Sequence, residues 1–200
     1  PCSGKSTIAR LLGERHGFSV YHVDDHFDAH VARATADHHP HMKRFKLDWD
    51  EIFVTRPVEA QVEGEFEFYR EEWSLTLEDL LAMPNDRLLI AEGTSMLPEL
   101  VAPLVAAPDR AIWIVPTEPF QKATYPTQRA DFVRWVVGQT SNPDLALRNW
   151  MDRDAEYGRL VAADAERRGF RVEWVDGSRS IDTMASVVEA QFDVKTTLRA

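Results

Sequence analysis

Apolar residues recur along this chain in two rhythms, and the switches between them divide it into alternating helices and strands. Ile8, Leu11 and Leu12 fall at helical spacing and predict a helix over 5–16, ended by Gly17. The run 18–23 predicts a strand leading into Asp24-Asp25. Residues 26–46 are polar and histidine-rich, which reads as loop with a short helix. Residues 48–82 read as mostly helical, with Pro57 interrupting or starting a helix. A short apolar strand over 87–92 ends in Glu92-Gly93, and a helix over 97–106 is broken by Pro103. A buried strand over 111–115 is stopped by Pro116. Asn142-Pro143 marks a helix start, with asparagine as cap and proline at the first helical position; that helix runs to Gly169. The strand 170–175 ends in Asp176-Gly177-Ser178, a helix covers roughly 181–192, and the tail frays. Apolar strands alternating with helices imply an α/β fold in one domain, with a mostly parallel sheet covered on both faces. Ligands in such sheets bind at the carboxyl ends of the strands.

The first helix opens with the most specific motif of the chain. Gly4-Lys5-Ser6 fill the last three places of the phosphate-loop pattern G-x-x-x-x-G-K-[ST], within Cys2-Ser3-Gly4-Lys5-Ser6-Thr7. Backbone N–H groups and the helix N-terminus of such a loop cradle phosphates, the lysine reaches the β/γ-phosphates and the hydroxyl holds Mg²⁺. The expected ligands are therefore ATP on Ser3, Gly4, Lys5, Ser6 and Thr7, and Mg²⁺ on Ser6. A phosphate loop is normally fed by a central strand, without which both neighbouring strands lose ladder partners. The expectation is that roughly ten residues containing that strand precede Pro1 in the natural protein.

Composition narrows the partners. A net charge of −10 argues against a nucleic-acid surface, which needs clustered Lys and Arg, yet leaves room for a local basic pocket. One cysteine permits no internal disulfide and suits a reducing cytoplasm. No apolar run approaches a membrane span. The expected setting is cytoplasmic, with no membrane partner, and a monomer and a homodimer fit length and acidity equally.

The order of parts resembles the P-loop kinases of small molecules: uridine kinase-like, nucleoside, nucleotide and shikimate kinases, and the antibiotic phosphotransferase and zeta-toxin relatives. The resemblance implies a three-layer P-loop NTPase fold with a helical lid. Asp25-His26-Phe27 is similar to the Asp-x-Phe-Tyr of uridine kinase-like enzymes, with Asp28 in place of the tyrosine. The resemblance makes Asp25 the acid that activates the acceptor hydroxyl, with Asp24 second. Glu92-Gly93 is similar to the Glu-Gly of the same enzymes, and an acid there holds Mg²⁺ or substrate, so Asp24 and Glu92 join Ser6 as candidate metal residues.

Residues 117–160 fall where the family's lid lies, and Arg148 and Arg153 are the candidates for phosphate contact, since the guanidinium fork suits phosphate oxygens. A surface pair between Arg148 and Asp152 is the competing reading. Arg179, after the last strand, stands where the family contacts adenine. The acceptor site is expected between 26–82 and the lid, with Arg44, Arg56 and Arg70 available for an anion, or Glu67, Tyr69, Glu71, Glu72 and Trp73 for a sugar or base. His38-His39-Pro40-His41 reads as solvated loop rather than a metal site. The function expected is transfer of the γ-phosphoryl of Mg-ATP to a small-molecule acceptor. The alternative is an NTPase switch without an acceptor.

Overall fold

The computed structural model describes residues 2–44 and 48–193. Pro1 of the phosphate-loop run, part of the polar 26–46 segment and the expected fraying tail lie outside the described residues. The chain is α/β. Helix α1 (Lys5–His16) is followed by strand β1 (Ser19–His22), a 3₁₀ turn at Val23–His26, and two short helices, α2 (Phe27–Arg33) and α3 (Pro40–Arg44). The segment read as loop with a short helix therefore holds two. A π-turn at Glu51–Thr55 leads to the 25-residue helix α4 (Val58–Ala82), which Pro57 starts rather than interrupts, its backbone extended at ψ 153°.

Strand β2 (Leu89–Glu92) follows, then α5 (Pro98–Val101), β3 (Ile112–Pro116), α6 (Glu118–Gln128), α7 (Ala130–Val137), α8 (Pro143–Arg167), β4 (Arg171–Val175) and α9 (Ile181–Gln191). Helix α5 is shorter than the 97–106 expected. The chain leaves the helix at Ala102 and turns, with Leu104 N–H on Val101 O at 2.9 Å, because Pro103 has no N–H to continue the ladder. Helix α8 begins as the sequence predicts: Asn142 Oδ1 accepts the Leu145 N–H at 3.1 Å and Pro143 occupies the first turn.

Among the described residues all strand pairing is parallel, but the single sheet expected is two sheets. β1 pairs with β2 in the register Ser19↔Leu89 to His22↔Glu92, and β3 with β4 from Ile112↔Arg171 to Pro116↔Val175. No described strand hydrogen-bonds both β2 and β3. A cavity of about 350 Å³ lies between them, walled by Ile90 and Ala91 on one side, Trp113 and Ile114 on the other, and Ile8 and Leu12 from α1.

Helices cover both faces of β3. Ile112 and Ile114 pack on the α1–α9 cluster built around Ile8, Leu12, Met184 and Val188. Trp113, which alternates with them, packs on the cluster of Leu97, Tyr157 and Val161, whose latter two come from α8. The 117–160 segment contributes to the core. Val133 and Val136 of α7, and Ala146, Trp150 and Met151 of α8, form one core cluster with Phe53 of the π-turn. Among the described residues no helix is long and apolar enough to cross a membrane.

Candidate functional site

The parallel register brings the chemistry together at one end of β1 and β2. Gly4, at φ 82°, caps α1 in the left-handed region, and a Cβ there would come within 2.7 Å of Ile181 Cδ1. The residue must be glycine on both counts. No side chain caps this twelve-residue helix, so its first-turn N–H groups are left for an anion. Ser3 is buried, while Ser6 and Thr7 are exposed.

Lys5 Nζ lies 3.3 Å from Glu92 Oε2 and 3.7 Å from Asp24 Oδ2. Both contacts are longer than the 2.7–2.9 Å usual for charge-assisted bonds. Glu92 is nearly buried and its Oε2 accepts no hydrogen bond, while His22 Nδ1 donates to its Oε1 at 2.5 Å. Asp24 and Glu92, the two acids expected at the metal, are thus both turned on Lys5. Magnesium is usually held by one or two carboxylates plus phosphates and water, and this donor set fits that pattern. Asp25 is exposed and makes no hydrogen bond or ion pair among the described residues. Adjacent residues of the 3₁₀ turn point apart, so Asp24 rather than Asp25 meets Lys5.

A second group of charges is centred on α8, whose Asp154 lines the same cavity as Lys5 and Glu92. Arg153 donates to Asp154 Oδ1 through Nε at 3.0 Å and Nη2 at 2.7 Å, and reaches Glu65 Oε1 at 3.2 Å. Its guanidinium lies 5.2 Å from the Phe53 ring centroid. Burial alone would lower the Arg153 pKa; the charges of Glu65 and Asp154 outweigh it and raise it. Burial pushes Glu65 up to about 7, against the pull of Arg153. Burial, then the Glu65 charge, also holds the Tyr69 and Tyr157 hydroxyls well above their ordinary range. Arg153 lines a cavity of about 570 Å³ between α3, the π-turn and the first half of α4, within the range of small-molecule sites.

The other arginines behave differently. Arg148 is exposed and has no ion-pair partner among the described residues. The competing pair with Asp152 does not form, because Asp152 binds Lys122 at 2.5 Å. Arg179 is tied to Glu173 Oε2 at 2.9 Å and to Trp174 O at 3.1 Å. Of the acceptor-gripping candidates, Arg44, Arg56, Glu67 and Tyr69 line the large cavity. Arg70 instead pairs with Glu67 and Glu99. Glu71 accepts from the His41 and Met42 N–H groups, Glu72 turns to His30, and Trp73 is core.

The polar 26–46 segment holds the largest surprise. His30 is fully buried; its Nδ1 meets Glu72 Oε1 and its Nε2 meets Asp79 Oδ2, both at 3.0 Å. Tyr21 OH donates to Asp79 Oδ2 at 2.9 Å, and Arg33 donates to Asp79 Oδ1 at 2.5 Å. His39, expected in a solvated loop, is buried: its Nδ1 accepts the Thr35 N–H and its Nε2 bonds Ser74 Oγ at 3.0 Å. Among the described residues no group of three or more His, Cys, Asp or Glu is placed to hold a metal ion.

His22, Glu65 and Asp154 were not singled out from sequence. His22 carries a faint signal, standing next to last in a predicted strand that runs into two acids. No protein family, curated protein or solved structure matches this chain.

Proposed function

We propose that this chain is an ATP-dependent phosphotransferase acting on a small molecule, with a P-loop kinase-like frame in which residues 117–160 form the lid. One observation carries the reading: Lys5, at an uncapped helix N-terminus, stands between two strand-end carboxylates and lines the smaller cavity with Glu92 and Asp154, while Arg153, bonded to Asp154, walls the ligand-sized one. The backbone of Ser3 to Thr7 holds the nucleotide phosphates, and Lys5 leaves Asp24 and Glu92 for them. Ser6, Asp24 and Glu92 are the residues that would hold Mg²⁺, which neutralises phosphate charge. Asp25, whose carboxylate has no partner among the described residues, takes the acceptor proton. The acceptor oxygen forms a bond to the γ-phosphorus as the bond to the ADP oxygen breaks. Arg153 steadies the charge from the cavity wall, Arg148 lies at the lid surface, and Arg179 stands by the base.

The arginine-bearing lid and the cavity favour transfer over a bare NTPase switch, which needs no acceptor space. The test is incubation with Mg²⁺·ATP and a panel of nucleosides, nucleotides, sugar acids and antibiotics, reading ADP and phosphorylated product by mass spectrometry. Product from one acceptor class, lost in Asp25→Asn by roughly 10²-fold or more, is expected. ADP released equally with and without every acceptor would replace this reading with the NTPase. Normal transfer in Asp25→Asn would move the base to Asp24.

A further inference from the structure

The large cavity has a chemistry of its own. Its apolar lining includes two stacked aromatic pairs. Trp49 and Phe53 lie with centroids 6.1 Å apart and ring planes 7° apart, and Phe27 and Phe68 with 5.7 Å and 20°. Such rings favour a flat, polarisable partner over an alicyclic one.

Its charges are sorted by their partners. Of the four lining carboxylates, Glu65 is engaged by Arg153 and Glu67 by Arg70, while Glu51 and Glu63 are exposed. Arg56 is half-buried and has no carboxylate partner among the described residues; Nη2 gives one hydrogen bond, to Ala60 O at 2.5 Å. Its guanidinium lies across Gly64, where a Cβ would meet both Nη atoms at 3.3 Å. The helix surface is cut away to seat this fork, whose other donors remain for a ligand.

The geometry points to a binding site for a planar aromatic anion, its ring against the aromatic pairs and its carboxylate or phosphate on Arg56. The inference rests on the phosphotransferase reading only in naming this anion as the acceptor. Binding itself requires no transfer.

The test is therefore calorimetry on the full chain carrying Lys5→Ala, without ATP. The probes are the nucleoside 5′-monophosphates and indole-3-carboxylate, each beside its neutral counterpart, with shikimate as a non-aromatic acid and kanamycin as a polycation. At least one aromatic anion binds with a Kd below about 1 mM. Arg56→Gln weakens it about tenfold or more, and Arg56→Lys, which keeps the charge but not the fork, recovers part of the loss. Thermal melts of the variants check folding, and Arg56→Lys carries the comparison alone if Arg56→Gln unfolds. The phosphate and carboxylate arms tell a nucleotide from an aromatic acid. A neutral counterpart binding as tightly as its anion overturns the proposal, as does shikimate or kanamycin binding in its place, or no aromatic anion binding. An aromatic anion that binds but never accepts phosphate from the wild type leaves the site and removes the kinase. Phosphorylation of a neutral nucleoside that binds as tightly as its monophosphate does the reverse.

Discussion

Tyr21 and His22 are neighbours on one strand, and their side chains enter two charge clusters of opposite character. Tyr21 joins His30, Glu72, Asp79 and Arg33, where the carboxylates meet their donors at 2.5–3.0 Å and the histidine has no exposure to solvent. His22 joins Glu92, Lys5 and Asp24, where the lysine contacts stretch to 3.3 and 3.7 Å and Glu92 Oε2 lacks a hydrogen bond. A saturated cluster holds the fold and has nothing to offer a ligand. An under-satisfied one, at the end of a helix whose N–H groups are also free of side-chain caps, is stable alone only as far as its loose contacts allow, and gains most when an anion arrives. The same residue types therefore mean different things on the two sides of β1, and the degree of pairing tells them apart.

The widest separation between the clusters comes from a reciprocal pair of variants. His30→Ala leaves Glu72 and Asp79 facing each other without the group between them, and should cost about 3–5 kcal/mol in urea unfolding. Lys5→Ala should cost less, about 1–2 kcal/mol, since its contacts are long and Asp24 is exposed although Glu92 is not, while lowering the proposed phosphoryl transfer at least about 10³-fold. A Lys5→Ala protein that unfolds like His30→Ala, or a His30→Ala protein that keeps its stability, would erase the distinction.

Most of the frame was legible before the structure. Helix α1, the four strands and the start of α8 follow from apolar spacing, Gly17 and the Asn142-Pro143 cap, all of which act within a few residues. What was not legible depends on register and distance. His22 meets Glu92 only because β1 and β2 pair in that parallel register. His30 sits in a polar run, and its burial is possible because α4 carries Glu72 and Asp79 to it. The choice of Asp24 over Asp25 against Lys5 turns on a single 3₁₀ turn. The sequence offers Arg153 as a phosphate-contact candidate, but its clamp by Glu65 joins helices far apart in the chain.

The Arg153 group and the His30 cluster also answer pH in opposite senses, which extends the comparison. Beside Arg153, Glu65 has an ordinary value of 4.5 and is raised to about 7 by burial, against the pull of that arginine. A carboxyl with a raised value stabilises the fold fully below 4.5, and that stability is lost as pH rises through about 7. Glu65→Gln has no such titration. Relative to this variant, the wild type should lose on the order of 3 kcal/mol between pH 5 and pH 8, measured by urea midpoints. A constant difference between the two proteins across that window would mean that Glu65 stays ionised throughout, held by Arg153.

Asp79 gives the smaller and opposite response. Burial alone would raise it, but the donors Arg33, His30 and Tyr21 hold it at about 2, below its ordinary 3.8. A lowered carboxyl stabilises the fold above 3.8, and that contribution disappears as pH falls through about 2. Asp79→Asn should therefore lose on the order of 2 kcal/mol at pH 7, a little less than the shift alone implies because Arg33 is partly exposed. The gap to wild type should narrow below pH 4 and nearly close near pH 2. The same substitution should leave phosphoryl transfer at pH 7 unchanged under conditions where both proteins are folded, because Asp79 faces the saturated side of β1. Loss of transfer without loss of stability would place the His30 network inside the functional site, and pairing would no longer separate the two clusters.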